Sequence, residues 1–169
     1  MLLQITSTSA DNTRALAEQL GRRLQAGDVV CLYGELGSGK TVFVKGLAKG
    51  LGVPRESVVR SPSFVLLYRY EGRVPIYHAD LYRLDGATAL DDIGLREFLG
   101  GDGVAVIEWA EKLEAALPAA RLDVTLYHVD AETRRITLQP HGERAIRCLE
   151  HWRDQTGRTD VSDSDEVAS

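Results

Sequence analysis

The chain has 169 residues, of which 44% are hydrophobic and 27% are charged, and this composition is typical of one ordinary globular domain. Neither a long apolar run nor a secretory signal is found, so we expect a cytoplasmic protein that has no membrane partner. The net charge of −5 gives no case for a strongly basic nucleic-acid surface or for DNA binding and leaves only a local basic patch as the alternative. The two cysteines do not suggest a disulfide framework.

The first predicted elements are a short strand and an amphipathic helix. Alternation in residues 1–6 indicates the strand, and Ser9 is a suitable N-cap for the helix. Leu16, Leu20 and Leu24 follow at four-residue spacing and would face the core from one side of this helix.

A glycine-rich loop follows, between a wholly apolar strand and a second helix. The strand is residues 29–33, and Gly34, Gly39, Lys40 and Thr41 fit the phosphate-binding pattern G-x-x-x-x-G-K-[ST]. Glycine allows successive backbone N–H groups to point at phosphate oxygens, and the N-terminus of the helix adds its positive dipole end. The pattern therefore predicts a P-loop.

The residues of this loop are the predicted contacts to ATP or ADP. Lys40 would contact the β- and γ-phosphates, and the Thr41 hydroxyl would take one position on Mg²⁺. The alternative is an ordinary glycine-rich turn that ends in a helix-capping threonine. The predicted nucleotide contacts in the loop are Glu35, Leu36, Gly37, Ser38, Gly39, Lys40 and Thr41.

The middle of the chain predicts a hairpin and a further strand. Residues 64–70 and 74–80 are strand-like, and their three-residue connection is too short to join parallel strands, so the sheet must be mixed. Residues 87–103 suggest a short helical region, residues 104–109 the next apolar strand, and residues 111–117 another helical stretch.

A second hairpin and a short helix complete the predicted domain. Residues 121–129 and 134–140 alternate as paired strands, and a helix over residues 142–153 would end the domain, which we place at 1–153. Residues 154–169 carry five acids and one arginine, so we expect a disordered tail, with an acidic docking arm as the alternative. The predicted fold class is α/β: a P-loop nucleotide-hydrolase fold with a mixed central sheet containing antiparallel hairpins and helices on both faces.

Asp80 and Glu108 each end an apolar strand. Ligands of open α/β sheets gather outside the carboxyl ends of the strands, and a P-loop nucleotidase needs a carboxylate for Mg²⁺ and a group that orients water. Each acid could instead meet solvent or cap the next turn. We interpret His78 as a half-buried histidine on a strand rather than as a residue that adjusts the chemistry of the site. For Trp109 two interpretations stay open, packing in the core and contact with a partner.

Five sequence blocks resemble, in order and spacing, the bacterial TsaE-type ATPases, which act in biosynthesis of the threonylcarbamoyladenosine modification of tRNA. The resemblance extends from about residue 5 to residue 140. The blocks are GELGSGKT (34–41), SPSF (61–64), HADLYRL (78–84), IGLREFL (93–99) and IEWAEKL (107–113).

The resemblance implies roles for particular residues. Lys40 and Thr41 would contact phosphate and Mg²⁺, Asp80 would act with the catalytic water, and Glu108 would be the second protein ligand of Mg²⁺. Segment 61–64 would be a switch near the γ-phosphate.

Adenine would lie between the segment around residues 9–12 and the second hairpin near Arg134. Two positions depart from the family pattern: Ser63 stands where Thr is usual, which keeps the hydroxyl, and Ala110 stands where Pro is common.

The same resemblance implies a Mg-dependent ATPase, slow on its own, that works with TsaD-type and TsaB-type proteins and reaches tRNA through their complex. The alternatives are a small-molecule kinase and a nucleotide-sensing module. No arginine-rich lid insertion of the kind that kinases close over an acceptor is found. A GTP switch with the base-reading motif Asn-Lys-x-Asp is excluded, because Asn12 is the only asparagine.

Overall fold

The structure, a computed structural model, describes residues 1–55, 58–62, 67–84, 91 and 94–156, without the side chain of Glu114. Within these residues, three α-helices and a mixed sheet of seven strands form the domain. The strands are β1 (Leu3–Ser7), β2 (Val29–Tyr33), β3 (Leu67–Glu71), β4 (Pro75–Asp80), β5 (Val104–Glu108), β6 (Arg121–His128) and β7 (Arg134–His141).

The strands lie in the order β1-β7-β6-β2-β5-β4-β3. The four central strands, β6, β2, β5 and β4, are parallel, whereas β3 pairs antiparallel with β4, and both β6 and β1 pair antiparallel with β7. Both predicted hairpins and the predicted mixed sheet are therefore confirmed. The parallel centre places the carboxyl ends of four strands along one edge, which is where ligands of such sheets bind.

The α-helices are α1 (Ala10–Gly21), α2 (Lys40–Gly50) and α3 (Glu143–Thr156). Two 3₁₀ helices, Leu95–Phe98 and Ala110–Ala116, flank β5. None of the helices in the described ranges has the length and apolar character that crossing a bilayer requires.

The N-cap prediction for α1 is confirmed. The backbone N–H of Asn12 donates to the Ser9 side-chain oxygen at 2.9 Å, which satisfies one of the N–H groups that a helix start leaves without an intrahelical partner. A hydroxyl pair, Ser7 Oγ and Thr13 Oγ1 at 2.6 Å, joins the end of β1 to the first turn. The buried leucines of α1 then face the sheet.

Helices α1 and α2 pack unusually close because glycines form their interface. A Cβ atom added at Gly46 would lie 2.3 Å from the carbonyl oxygen of Arg14, and one at Gly50 would lie 2.1 Å from that of Glu18. Gly21, on α1, similarly faces the backbone of Leu47. This contact fixes α2, and with it the loop that precedes α2, against the rest of the domain.

Two apolar clusters cover the two faces of the sheet. The larger one packs all three α-helices against one face, and includes Phe43 from α2 and Trp152 from α3. The smaller one covers the other face with residues of both 3₁₀ helices, including Leu95 and Leu113. Cys31 is fully buried in the smaller cluster, and burial raises its thiol pKa to about 12, in accord with a packing role.

Several predicted boundaries differ from the structure. Of the helical region expected over 87–103, the described part is helical at Asp91 and in the 3₁₀ helix Leu95–Phe98, and residues 87–90 and 92–93 lie outside the described residues. The helical stretch after β5 is 3₁₀ rather than α. The terminal helix continues three residues beyond the predicted boundary, to Thr156, and the tail from residue 157 lies outside the described residues.

Candidate functional site

The carboxyl ends of β4 and β5 lie side by side and each ends in an acid. Asp80 and Glu108 are register partners on these parallel strands, and both are largely buried, at 5% and 2% exposure. The backbone N–H of Leu81 donates to the Glu108 carbonyl at 3.1 Å, which continues the pairing one residue past β4. The prediction that both acids stand at strand ends is confirmed.

The glycine-rich loop joins β2 to α2 through backbone conformations that favour glycine. Gly34 has a φ of 138° and Gly39, the residue before α2, has a φ of 103°. A Cβ at Gly34 would also lie 2.5 Å from the Leu126 carbonyl oxygen, so the loop passes directly over the end of β6. Within the described chain, α2 begins without a side-chain cap, so its first N–H groups are left for another acceptor.

Lys40 lies across this loop. Its ammonium group donates to the carbonyl oxygens of Gly34 and, at 2.8 Å, Glu35, and it lies 3.4 Å from Ser38 Oγ. Burial lowers the pKa of Lys40 from its ordinary value, while nearby carboxylates, of which Glu108 has the largest effect, act in the opposite direction. The described hydrogen bonds of this buried cation go to uncharged oxygens, which phosphate oxygens can replace.

Trp109 follows Glu108 in a left-handed conformation, with a φ of 59°. Such a backbone is uncommon for a bulky residue, and strain of this kind is concentrated at functional sites. The Lys40 ammonium lies 4.2 Å from the centroid of the Trp109 ring. The centroids of the Tyr82 and Trp109 rings are 4.9 Å apart. The predicted strand 104–109 therefore ends at Glu108, and Trp109 turns to form one wall beside Lys40.

Thr41 and Glu108 form the candidate metal site. Thr41 Oγ1 lies 3.3 Å from Oε1 and 3.5 Å from Oε2 of Glu108. Across the described ranges, no group of three or more His, Cys, Asp or Glu side chains could hold a metal ion. A hydroxyl and one carboxylate nevertheless suit Mg²⁺, which keeps several waters and takes substrate phosphate oxygens as further ligands.

Asp80 contacts the segment predicted to act as a switch. Ser61 Oγ donates to Oδ2 of Asp80, and the backbone N–H of Tyr82 donates to Oδ1 at 2.9 Å. Ser63 and Phe64, the second half of the predicted switch, lie outside the described residues.

Arg134 lies against the loop rather than in open solvent. Its Nε donates to the Ser38 carbonyl at 3.0 Å, and its Nη2 lies 3.4 Å from the Gly37 carbonyl oxygen. Its Nη1 donates to the carbonyls of Asp130 and Thr133, which belong to its own hairpin. Arg134 thus ties the second hairpin to the loop, and its predicted contact with adenine stays a prediction.

The interpretation of His78 as a half-buried histidine is wrong. Its side chain is fully buried, Nε2 lies 2.7 Å from Glu108 Oε1, and Nδ1 lies 3.2 Å from the hydroxyl of Tyr70. Sequence reasoning also missed Tyr70, because nothing in the local pattern shows which tyrosine of β3 reaches a histidine on β4. The hairpin register pairs His78 directly with Tyr68, and Tyr70 reaches it diagonally, so cross-strand pairing alone would have indicated the wrong tyrosine.

These groups surround one open cleft of about 510 Å³ at the carboxyl edge of the sheet. It brings together most of the predicted site residues, but Glu35 and Ser38 do not line it. Glu35 contacts Lys40, and Ser38 contacts both Lys40 and Arg134. Tyr82 was not among the predicted site residues. The cleft is lined by Leu36, Gly37, Gly39, Lys40, Thr41, Val42, Ser61, Asp80, Tyr82, Arg83, Glu108, Trp109 and Arg134.

The stretch that builds this cleft matches one protein family. Residues 7–136 match the family described as threonylcarbamoyl adenosine biosynthesis protein TsaE. The chain belongs to the TsaE family. The family match covers both the loop and the strand-end acids.

Individual TsaE relatives agree with this assignment. The tRNA threonylcarbamoyladenosine biosynthesis protein TsaE of Bacillus subtilis (strain 168) is 38% identical over 143 residues, 84% of this chain and 88% of the relative. The protein of the same name from Treponema pallidum (strain Nichols) is 43% identical over 136 residues, 80% of this chain and 99% of the relative.

A solved structure agrees with the fold. A crystal structure of YdiB from Bacillus subtilis superposes with a TM-score of 0.80 at 33% identity, covering 92% of this chain and 97% of that one. The predicted α/β fold is confirmed, and the family favours a role in tRNA modification over the kinase alternative.

Proposed function

We propose that this TsaE protein binds ATP or ADP with Mg²⁺ in the cleft and hydrolyses ATP as a component of threonylcarbamoyladenosine biosynthesis. The single observation that carries the proposal is the convergence of Lys40, the Thr41–Glu108 pair and Asp80 on one cleft beside the start of α2. Family membership supplies the tRNA-modification context.

The loop and Lys40 would hold the phosphates. The N–H groups at the start of α2 donate to phosphate oxygens, and Lys40 exchanges the carbonyls of Gly34 and Glu35 for the β- and γ-phosphates. Thr41 and Glu108 would hold Mg²⁺, which neutralises phosphate charge when it is bound. Trp109 shields the Lys40 ammonium from water on one side.

Asp80 would orient the attacking water. Its carboxylate already accepts hydrogen bonds from Ser61 Oγ and from the Tyr82 N–H, so its position is fixed by two donors. A carboxylate held in this way can accept a proton from a water molecule at the γ-phosphate end of the cleft.

TsaD-type and TsaB-type proteins are the proposed partners, and tRNA would be reached through their complex rather than directly. The cleft is open, and open sites exclude water poorly. Leu36, at the tip of the loop, exposes 76% of its surface, and Tyr82 exposes 46%. A partner that covers these apolar side chains would also close the nucleotide site.

Calorimetry with the Lys40→Ala variant tests the nucleotide site. Loss of a charge-assisted contact should weaken Mg-ATP binding by about 1.5 to 3 kcal/mol, or roughly tenfold to a hundredfold. Lys45→Ala is the matched control, because Lys45 lies on the same helix but does not line the cleft. Equal affinities for the two variants would contradict the proposal.

Nucleoside mass spectrometry of tRNA tests the biological role. Cells that lack the gene should lose threonylcarbamoyladenosine from tRNA, and the wild-type gene should restore it while Lys40→Ala should not. Unchanged modification in the deletion strain would reject the role in tRNA.

A further inference from the structure

A buried line of hydrogen bonds leads away from the candidate metal site. It starts at Glu108 Oε1, continues 2.7 Å to His78 Nε2, and from His78 Nδ1 continues 3.2 Å to the Tyr70 hydroxyl. The Tyr70 hydroxyl then contacts the backbone of Arg60, at 3.2 Å from its carbonyl oxygen and 3.4 Å from its nitrogen. The line therefore joins strands β5, β4 and β3 to the segment 58–62.

The donors along this line can be assigned from chemistry. A carboxylate that binds Mg²⁺ is ionised and only accepts hydrogen bonds, so with the metal bound Nε2 of His78 would carry the proton that faces Glu108. Burial raises the pKa of Tyr70, so its hydroxyl keeps its proton at neutral pH. That proton has two acceptors at 3.2 Å, His78 Nδ1 and the Arg60 carbonyl, while the Arg60 N–H donates to the hydroxyl oxygen.

Solvent has almost no access to these side chains. His78 is 0% exposed, Glu108 2% and Tyr70 6%. Burying polar groups is costly unless each finds its partner. Each ring nitrogen of His78 has one hydrogen-bond partner among the described contacts, so a shift of Glu108 or Tyr70 would leave one of these nitrogens unpaired. The side chains are therefore expected to move together rather than singly.

The line of hydrogen bonds ends at Arg60, which lies next to the residue that contacts Asp80. Arg60 directly precedes Ser61, whose hydroxyl donates to Asp80. Segment 58–62 is thus attached to the cleft twice: directly at Asp80, and through Tyr70 and His78 at Glu108.

We infer that His78 and Tyr70 are positioning residues that couple the Glu108 carboxylate to the backbone of residues 58–62. The inference rests on the proposed function, because it requires Mg-nucleotide to bind at Glu108. Binding there fixes the carboxylate, the carboxylate fixes His78 and Tyr70, and Tyr70 fixes the backbone beside Ser61. The backbone position of segment 58–62 then depends on whether the metal site is occupied, and a protein bound to this segment would respond to that difference.

The test is the response of the Arg60 backbone amide to Mg²⁺ in nuclear magnetic resonance spectra of the ADP-bound protein. In the wild type, Mg²⁺ should shift the Arg60 amide signal. Tyr70→Phe removes one oxygen atom and should reduce this shift at least about threefold, while Mg-ADP affinity changes by less than about tenfold. Tyr77→Phe is the matched control, because it removes a hydroxyl that donates to Asp102, outside this line of hydrogen bonds.

A second variant separates coupling from folding. The side-chain amide of glutamine can place a donor near the position of Nε2, so His78→Gln should keep the contact with Glu108 and lose the one with Tyr70. It should therefore retain Mg-ADP binding and lose the Arg60 shift, and it serves in place of Tyr70→Phe if that variant does not fold.

Two negative outcomes are distinguishable. If calorimetry shows that the wild type does not bind Mg-ADP, the proposed function fails and this inference fails with it. If the wild type binds and the Arg60 shift is the same in Tyr70→Phe or His78→Gln, the coupling is rejected while the nucleotide site stands.

Discussion

Asp80 and Glu108 end neighbouring parallel strands, but their carboxylates contact different groups. Glu108 faces Thr41 and accepts from His78, whereas Asp80 accepts from Ser61 and from the backbone of Tyr82. The first arrangement suits a metal ligand and the second suits a group that orients water.

The two acids should therefore separate by role when each is replaced by its amide. Glu108→Gln should weaken the dependence of nucleotide affinity on Mg²⁺. Asp80→Asn should leave affinity nearly intact and lower turnover by about 10²- to 10⁴-fold, the usual contribution of acid–base catalysis. Calorimetry with and without Mg²⁺ and steady-state ATPase assays measure the two effects. Normal binding and hydrolysis in both variants would show that the acids are structural.

At the scale of elements, the contact between α1 and α2 holds the loop in place. Gly46 and Gly50 lie one turn apart on α2, and both face α1 without space for a methyl group. Since α2 begins at Lys40, the interface positions the residues that would meet phosphate.

Gly46→Ala tests this packing, because helix propensity predicts an increase in stability and steric overlap predicts a decrease. Alanine in a helix interior should stabilise by about 1 kcal/mol relative to glycine. Its Cβ, however, would lie 2.3 Å from the Arg14 carbonyl oxygen and 2.6 Å from the Ala17 Cβ, so we expect net destabilisation of about 1 to 3 kcal/mol. Denaturant unfolding measures the change, with Lys45→Ala as the control. A more stable Gly46→Ala variant would show that the helices separate easily.

At the scale of the molecule, α3 completes the core that α1 and α2 share. Leu149 and Trp152 are 0% and 2% exposed, and the helix ends at Thr156. This helix is covalently followed by the acidic segment 157–169, whose apolar side chains are few.

Removal of residues 157–169 should leave the melting temperature within about 2 °C and nucleotide binding unchanged. Trp152→Ala, by contrast, should cost about 3 to 5 kcal/mol, because it empties a buried site. Thermal unfolding of the truncated protein and of Trp152→Ala measures both effects. A large fall in melting temperature on truncation would mean that the tail packs against the domain.

Partner proteins should raise ATP hydrolysis. We expect slow hydrolysis from the protein by itself, because its cleft is open and leaves Leu36 and Tyr82 exposed. If partner binding lowers the barrier by about 1 to 3 kcal/mol, the rate should rise roughly 5- to 150-fold. Steady-state assays with and without TsaD-type and TsaB-type proteins measure this. Fast turnover without partners, in the presence of a small phosphoryl acceptor, would instead favour a kinase.

The sequence by itself determined the features that depend on neighbouring residues. The loop from Gly34 to Thr41, the Ser9 cap and the two acids at strand ends were all predicted correctly, because glycine conformations, caps and strand ends are set by a few adjacent residues. The hairpins were equally accessible, since connections of three and five residues are too short to join parallel strands.

Only the tertiary structure decided which distant groups meet. Glu108 reaches Thr41 across 67 residues of chain and His78 across 30, and Trp109 reaches Lys40 through a left-handed turn that no local pattern predicted. These contacts follow from the order and register of β2, β5 and β4. That order is selected by burial of both faces of the whole sheet, so no short stretch of sequence contains it.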